Sequence, residues 1–283
     1  MPGSLWLVLL FLLPFYTVLS VAFGTVEPFF RTPLPVYQPW YWSFATFSTT
    51  LEKFYVSPAI YQPALIRTFT FVFAASLICL IVGYAVAYYA ARFAGKYRVL
   101  ILVLLVAPFW ISYLMRIYAW QSLLQPDGYV NAILERLHLI SDPVLWLSGK
   151  PITVILGLAY GYIPFMILPL YGSLDRIEGS MLEAGRDLGA SPSQTFRRVT
   201  LPLSKPAILA GLVIVSLPMF GDYYTSNLLG TQRTSMFGNL IDTSVYQAGQ
   251  GPEAGSLVLI LMVIVIVPML YYLRETRRAA ENA

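Results

Sequence analysis

An acid, two phenols and two hydroxyls stand side by side at Asp222-Tyr223-Tyr224-Thr225-Ser226, within the stretch Pro218-Met-Phe-Gly-Asp-Tyr-Tyr-Thr-Ser-Asn227. A carboxylate beside aromatic rings is a stop for an ammonium group, because ion attraction and cation–π attraction act on the same charge. On a helix Thr225 and Ser226, three and four residues after Asp222, share its face. Pro218 and Gly221 break or kink a helix here and free backbone groups that a cavity has to satisfy. The carboxylate has two readings, contact with a cationic solute or an internal ion pair with a residue such as Arg116. Other aromatics (Trp110, Tyr113, Tyr118, Trp120, Tyr160, Tyr162 and Phe165) are individually better read as packing or interfacial anchors, as are Tyr84, Tyr88 and Tyr89.

The remaining chemical inventory is short. Cys79 is the single cysteine and lies in an apolar stretch, so an intrachain disulfide is impossible. His138 is the single histidine, with no second histidine or cysteine cluster to build a transition-metal site. An intramembrane enzyme needs paired acids, or serine with histidine or lysine, beside the bilayer. Asp222 is the one acid well inside an apolar segment, which argues against that class. A channel needs a symmetric selectivity ring, which one copy of a chain cannot display.

The elements that position these residues are membrane spans. Of the 283 residues, 58% are hydrophobic and 11% charged, where soluble domains run nearer 45–50% and about 25%. Mean hydropathy is +0.68. A helix crossing about 30 Å of hydrocarbon needs roughly 20 mostly apolar residues. Six segments qualify: Leu5–Phe23, Ala64–Ala91, Val99–Leu123, Ile152–Leu174, Pro206–Leu229 and Ala254–Leu273. The first reads as a span rather than a cleaved signal, because Met1 to Ser4 contain no lysine or arginine.

Orientation follows from the basic residues. Arg92, Lys96 and Arg98 follow the second segment, Arg176, Arg186, Arg197, Arg198 and Lys205 the fourth, and Arg274, Arg277 and Arg278 the sixth. Those connections share one side and hold eleven of the 18 basic residues, so they are cytoplasmic, with both termini. The net charge of +4 therefore reports topology, and no basic run interleaved with aromatics argues for nucleic acid. Outside, the loop Gly24–Pro63 carries Trp40, Tyr41, Trp42, Phe44 and Phe47, read as an interfacial belt in preference to a docking surface. Asn131–Leu139 reads as a short amphipathic helix after the turn signal Pro126-Asp127-Gly128.

The connection between the fourth and fifth segments reads as two short helices. Met181 to Leu188 presents a narrow apolar face, and Gly189 ends it in a left-handed conformation. Ser191 or Ser193 caps a second turn around Pro192, and Leu201-Pro202 stops it before re-entry. Glu183, Arg186 and Asp187 mix both signs, which suits a protein cleft better than a lipid surface.

Glu183-Ala184-Gly185, three residues, Gly189, nine residues, Val199, one residue and Leu201-Pro202 together resemble the EAA loop of bacterial ABC-importer permeases. The family pattern has a second alanine at Gly185 and isoleucine at Val199. Arg116-Ile-Tyr-Ala-Trp120, Tyr162-Ile-Pro-Phe-Met166 and Leu228-Leu-Gly-Thr-Gln232 resemble the permeases of spermidine/putrescine importers, and the likeness covers nearly all the chain from the second segment onward.

That resemblance implies an all-α membrane protein, with six transmembrane helices of the type I importer, MetI-like fold and a cytoplasmic coupling helix. Residues 1–283 form one permease domain, with its core at 64–273 and the coupling loop at 175–205. Glu183 then contacts an ATPase; Ala184, Gly185 and Gly189 permit close packing; Leu201 and Pro202 fix the exit of the loop. The implied partners are an ABC ATPase dimer carrying ATP and magnesium, a second permease subunit, an extracytoplasmic substrate-binding protein and the lipid bilayer of a bacterial inner membrane. No Walker A sequence occurs in this chain, and no cofactor is expected in it. Polyamine is the leading solute, and opine-like compounds, thiamine and iron complexes are the alternatives within the same subgroup.

Overall fold

A computed structural model describes residues 2–56 and 60–281; Met1, residues 57–59 and the last two residues lie outside it. The chain is built of helices, α1 (Pro2–Leu7) and α2 (Leu13–Ala22) being joined by a π-helical turn, Val8–Leu12. That turn precedes Pro14, whose ring a regular helix would drive into the carbonyl four residues back. Next come a two-stranded antiparallel ribbon, β1 (Thr25–Val26) and β2 (Pro33–Leu34), and helix α3 (Ala45–Val56).

Helix α4 (Tyr61–Arg92) has 32 residues, about 48 Å at ~1.5 Å per residue, so its ends project beyond the hydrocarbon. Next come α5 (Arg98–Val106), a tight turn Ala107–Trp110, α6 (Tyr113–Leu123) and α7 (Tyr129–Arg136). Then come α8 (Pro151–Asp175), α9 (Gly179–Asp187), the single turn α10 (Pro192–Thr195) and a π-helical turn, Phe196–Thr200. The chain continues through α11 (Leu201–Phe220), α12 (Tyr224–Leu229), α13 (Phe237–Tyr246) and α14 (Gly251–Glu281).

Among the described residues four stretches are long and apolar enough to cross a membrane unbroken: Leu5–Ala22, Tyr61–Arg92, Pro151–Asp175 and Pro192–Phe220. The expected third span, Val99–Leu123, is instead two arms bent by 90°. The tight turn and the extended backbone at Ile111 and Ser112 make the bend, and Pro108 in the turn has no N–H for a regular ladder. The expected fifth span, Pro206–Leu229, begins earlier and stops at Phe220, where Gly221–Tyr223 leave the helix. The expected sixth, Ala254–Leu273, falls within α14, and Gly251–Val267 is its apolar stretch among the described residues. Leu201 and Pro202 do not stop the second loop helix. They open α11, because the π-helical turn just ahead makes room for the proline ring.

The Cα framework gathers into two compact units. One contains the chain up to Thr68, Phe220–Tyr223 and Ser235–Leu270, and the other Phe69–Met219 and Tyr224–Thr234. In the first, Phe23 stacks on Trp42 at 5.1 Å, while the Trp42 indole donates to the Val36 carbonyl at 2.7 Å. Trp42 and Phe47 are thus packing residues, whereas Trp40, Tyr41 and Phe44 stay exposed as an interfacial belt requires. Glu253, one residue ahead of the last expected span, is buried. Its Oε1 accepts from the Tyr61 hydroxyl and pairs with Lys53 Nζ, both at 2.6 Å, so one carboxylate ties α3, α4 and α14 together.

Replacing Glu253 by alanine leaves Tyr61 and Lys53 without their acceptor and is expected to cost about 2 kcal/mol. A double-mutant cycle with Lys53→Ala in the detergent-solubilised chain measures the pairwise share, and a coupling near zero would assign the cost to Tyr61 alone.

Candidate functional site

The connection between α8 and α11 is a folded lever. Helix α9 starts at Gly179, with Glu178 as its N-cap in extended conformation. It ends as a Schellman motif, in which Gly189 N–H donates to Arg186 O at 2.8 Å and Ala190 N–H to Gly185 O at 3.1 Å. Gly189 stands at φ +82°, and a Cβ there would meet no neighbouring atom. Glycine is thus required by backbone conformation and not by crowding. Of the two serines considered, Ser191 caps the next helix. Its Oγ accepts from Gln194 N–H at 3.3 Å while its own N–H donates to Gln194 Oε1 at 2.8 Å.

Motif residues far apart in sequence meet here. A Cβ on Gly185 would lie 3.6 Å from the Thr195 methyl and 3.8 Å from Val199, which is ordinary contact distance. The face of α9 carrying Gly185 packs on that second turn, whereas Glu183 and Ala184 are exposed on the loop. Leu201 is exposed and Pro202 sits in the first turn of α11.

Helix α4 grips the lever at both ends. Arg92 Nη2 donates to Leu174 O at 2.8 Å and Ile177 O at 3.0 Å, satisfying carbonyls where α8 ends. Arg98 pairs with Asp175 at 3.1 Å beside it. On the far side Phe196, in the π-helical turn, stands edge-on to Tyr84 at 5.7 Å and to Tyr88 at 5.5 Å. The Tyr84 hydroxyl shares a 3.0 Å hydrogen bond with Ser204. A groove of about 590 Å³ runs between these anchors, lined by Gly172, Arg176, Met181, Leu203 and Pro206 among others. In the sequence Arg92 reads only as a topology marker, and nothing singles out Phe196. The one available signal is an arginine at the last turn of a span whose neighbour ends in exposed carbonyls.

The row at 222–226 is divided by a helix break. Asp222 is buried and precedes α12, so helical spacing does not carry it onto the face of Thr225 and Ser226. Within its own unit, the Tyr223 carbonyl accepts from Asn239 Nδ2 at 3.1 Å, and Asn239 Oδ1 in turn caps Met236 N–H at 2.7 Å. Thr68 Oγ1 accepts from Phe237 N–H at 2.7 Å. Gly238 lets this helix start approach the break, since a Cβ there would lie 2.9 Å from both the Gly221 and the Asp222 carbonyl oxygens. In the other unit Thr225 is fully buried and shares a 2.5 Å hydrogen bond with Tyr113, and Ser226 is also buried. Tyr223 is half-buried, and Tyr224 is the exposed member of the row.

Arg116 is buried too. Its Nε donates to Ile111 O at 3.2 Å, and its guanidinium lies 4.2 Å from the Phe109 ring centre, 5.5 Å from Tyr113 and 5.9 Å from Tyr160. Its Nη1 has no hydrogen-bond partner in the protein. Among the described residues no group of three or more His, Cys, Asp or Glu could hold a metal ion.

Known proteins resemble this chain in sequence and fold. Residues 2–277 match the family model of the binding-protein-dependent transport system inner membrane component. The spermidine/putrescine transport system permease protein PotB of Escherichia coli K12 is 34% identical over 273 residues, covering 96% of this chain and 94% of that protein. PotB of Haemophilus influenzae is 33% identical over 96% of this chain and 91% of that protein. The inner membrane ABC transporter permease protein YdcU of Escherichia coli is 31% identical over 76% of this chain and 74% of its own. A bacterial ABC transporter that imports the acidic polysaccharide alginate has the same fold, with TM-score 0.72 at 21% identity, covering 98% of this chain and 93% of that one. The MetNI methionine ABC transporter aligns with TM-score 0.58 at 16% identity, over 78% of this chain and 97% of that one.

Two substitutions separate shape from conformation in the lever. Gly185→Ala meets Thr195 and Val199 at ordinary contact distance and is expected to stabilise α9 by up to about 1 kcal/mol, whereas Gly189→Ala costs about 1 kcal/mol through its positive φ, and Gly189→Asn costs less. Arg92→Leu strips the cap from α8 and is expected to speed amide exchange across residues 174–190. Unchanged exchange there would show that Arg92 does not hold the lever.

Proposed function

Because the chain belongs to the inner membrane components of binding-protein-dependent transport systems, we propose that it forms half of the translocation path of an ATP-driven importer for spermidine, putrescine or closely similar amines. Members of this family are transport permeases and not enzymes, and in ABC importers the ATPase is a separate subunit. The chain is an ABC-importer permease of the inner membrane. The substrate reading is carried by one observation, the 34% identity over 96% of the chain to a spermidine/putrescine permease.

In this reading the complex contains an ABC ATPase dimer loaded with ATP and magnesium, a second permease subunit and an extracytoplasmic binding protein. A related alginate transporter has been solved in complex with a periplasmic protein bound to its pentasaccharide, which supports the same arrangement. Both termini face the cytoplasm, as the basic residues require. Residues 1–283 act as one permease domain with its core at 64–273, and the loop 175–205 is the coupling element. Glu183 makes the ATPase contact. Ala184, Gly185 and Gly189 shape the docking helix, while Leu201 and Pro202 set its return to the bilayer.

The physical logic is a lever. Closure of a soluble ATPase dimer moves α9 as a unit, and the grips of Arg92 and Phe196 carry that motion into α4, α8 and α11. The substrate path includes Asp222, Tyr223, Tyr224, Thr225 and Ser226. The helix break at Gly221–Tyr223 sets Asp222 off the helical ladder, where irregular backbone lining a cavity can present a carboxylate to an ammonium group.

Uptake into proteoliposomes holding the full assembly tests this reading, with spermidine, putrescine, choline, an opine and thiamine compared side by side. Asp222→Asn is expected to raise the KM for spermidine roughly tenfold while the complex still assembles. Equal uptake of spermidine by the variant would remove Asp222 from the path, and uptake of thiamine or an opine in place of spermidine would remove the polyamine assignment.

A further inference from the structure

The bent third span lies in the bilayer. Taking helical rises of ~1.5 Å and ~2.0 Å, α5 with its tight turn and α6 provide about 38 Å of path; two perpendicular arms inclined at about 45° would rise about 27 Å, close to one hydrocarbon thickness. The elbow at Ala107–Ser112 then falls near the midplane. Irregular backbone at that depth does not face lipid. It is tolerated where protein covers it or where it lines water. Yet Trp110 is 82% exposed and Ile111 57% exposed on the elbow itself. Beneath them Arg116 Nη1, a charged donor, has no protein acceptor, and hydrocarbon supplies none.

The exposure continues along one face of α6. Met115, Tyr118 and Ser122 are exposed there at helical spacing. That face opens at its outer end into a groove of about 720 Å³ lined by Ser122, Gln125, Asp127 and Tyr129 among others. The groove is firmly built. Asn131 Nδ2 donates to Gln125 O at 3.2 Å and Pro126 O at 3.1 Å, which pins the turn carrying Asp127.

The geometry points to this face of α6 as a lining of the translocation path for a short linear amine, with Asp127 receiving an ammonium group at the outer mouth and the Trp110 ring receiving one at the elbow. The inference rests on the polyamine reading for its ligand but not for its geometry. A carboxylate at the mouth, tyrosine rings along the way and an indole at the midplane offer a cation successive attractive surfaces, none of which holds it deeply. Arg116 lies about a third of a turn from the exposed face. Its fixed charge leaves the indole ring, and not ion pairing, as the elbow's hold on the cation. Braced on Ile111 and Phe109, Arg116 positions the elbow.

The test uses the full transporter in proteoliposomes, in a Cys79→Ser background that removes the one buried native thiol. Trp110→Cys and Met115→Cys are compared with Leu104→Cys, an exposed position on the α5 arm, using a membrane-impermeant cationic methanethiosulfonate added from the outside. Water in the path predicts reaction at 110 and 115 at least about 10-fold faster than at 104. It also predicts slowing of about 3-fold or more by spermidine with its binding protein. Rates at 110 and 115 no faster than at 104 would overturn the assignment and place this face against lipid or the second permease. Fast reaction that spermidine leaves unchanged, in a complex whose wild type imports spermidine, would overturn the amine contact. If the wild type imports no polyamine, the reaction rates still decide the path while the ligand assignment fails. Uptake gives a second readout: Trp110→Tyr is expected to keep KM within about 3-fold and Trp110→Leu to raise it about 10-fold.

Discussion

In hydrocarbon, a backbone carbonyl or N–H that leaves its helix must find another partner or lie against water. This chain leaves its helices at a few places, and arginines stand at three of them. Arg116 donates to Ile111 at the elbow, Arg92 to Leu174 and Ile177 where α8 ends, and Arg67 to Ser235 at 2.9 Å just before α13. A guanidinium has five donors and no acceptor, so it can hold a carbonyl and still keep its charge in contact with rings or water. Three of the chain's few charges thus stand where the helical ladder fails. Those failures are also where transport needs shape: at a bend, at a break and at a lever.

The lever shows how few residues suffice to make a loop rigid. A Schellman turn at Gly189 and a capping box at Ser191 fix the two helix ends that face each other. Contact of Gly185 with Thr195 and Val199 closes the angle between them. After α10 the chain makes a π-helical turn and not a regular one. It admits Pro202 and swings Phe196 between Tyr84 and Tyr88, so the loop is tied to α4 by rings on one side and by Arg92 on the other. A force applied at the exposed Glu183 therefore has a packed route into three long helices.

Much of this was legible in the residues. The helical class and the spans near Leu5–Phe23, Ala64–Ala91 and Ile152–Leu174 follow from hydropathy, and Gly189 announced its own conformation. Pro218 and Gly221 correctly marked a helix break. The elbow was not legible, because Pro108 is tolerated in many spans and the polar residues of Val99–Leu123, Ser112 and Arg116 among them, carry no local sign of a bend. Nor was the return into α11, since a proline after a loop looks like a stop until the π-helical turn ahead of it is seen. Glu253 escaped notice by standing one residue outside the expected span, although its partners Tyr61 and Lys53 come from elements nearly 200 residues away in sequence. Long-range partners of this kind leave no trace in local spacing. The shared face expected of Asp222, Thr225 and Ser226 fails for the opposite reason: helical spacing does not run across the break that Gly221 produces.

The central claim is that the folded loop transmits nucleotide-driven motion to the membrane helices. It is tested most directly by measuring ATP hydrolysis in the reconstituted complex, with and without spermidine-loaded binding protein, for the wild type and for Glu183→Ala. The account predicts that the loaded binding protein stimulates hydrolysis in the wild type, and that this stimulation is lost in the variant although the complex remains assembled. Equal stimulation in both would contradict it.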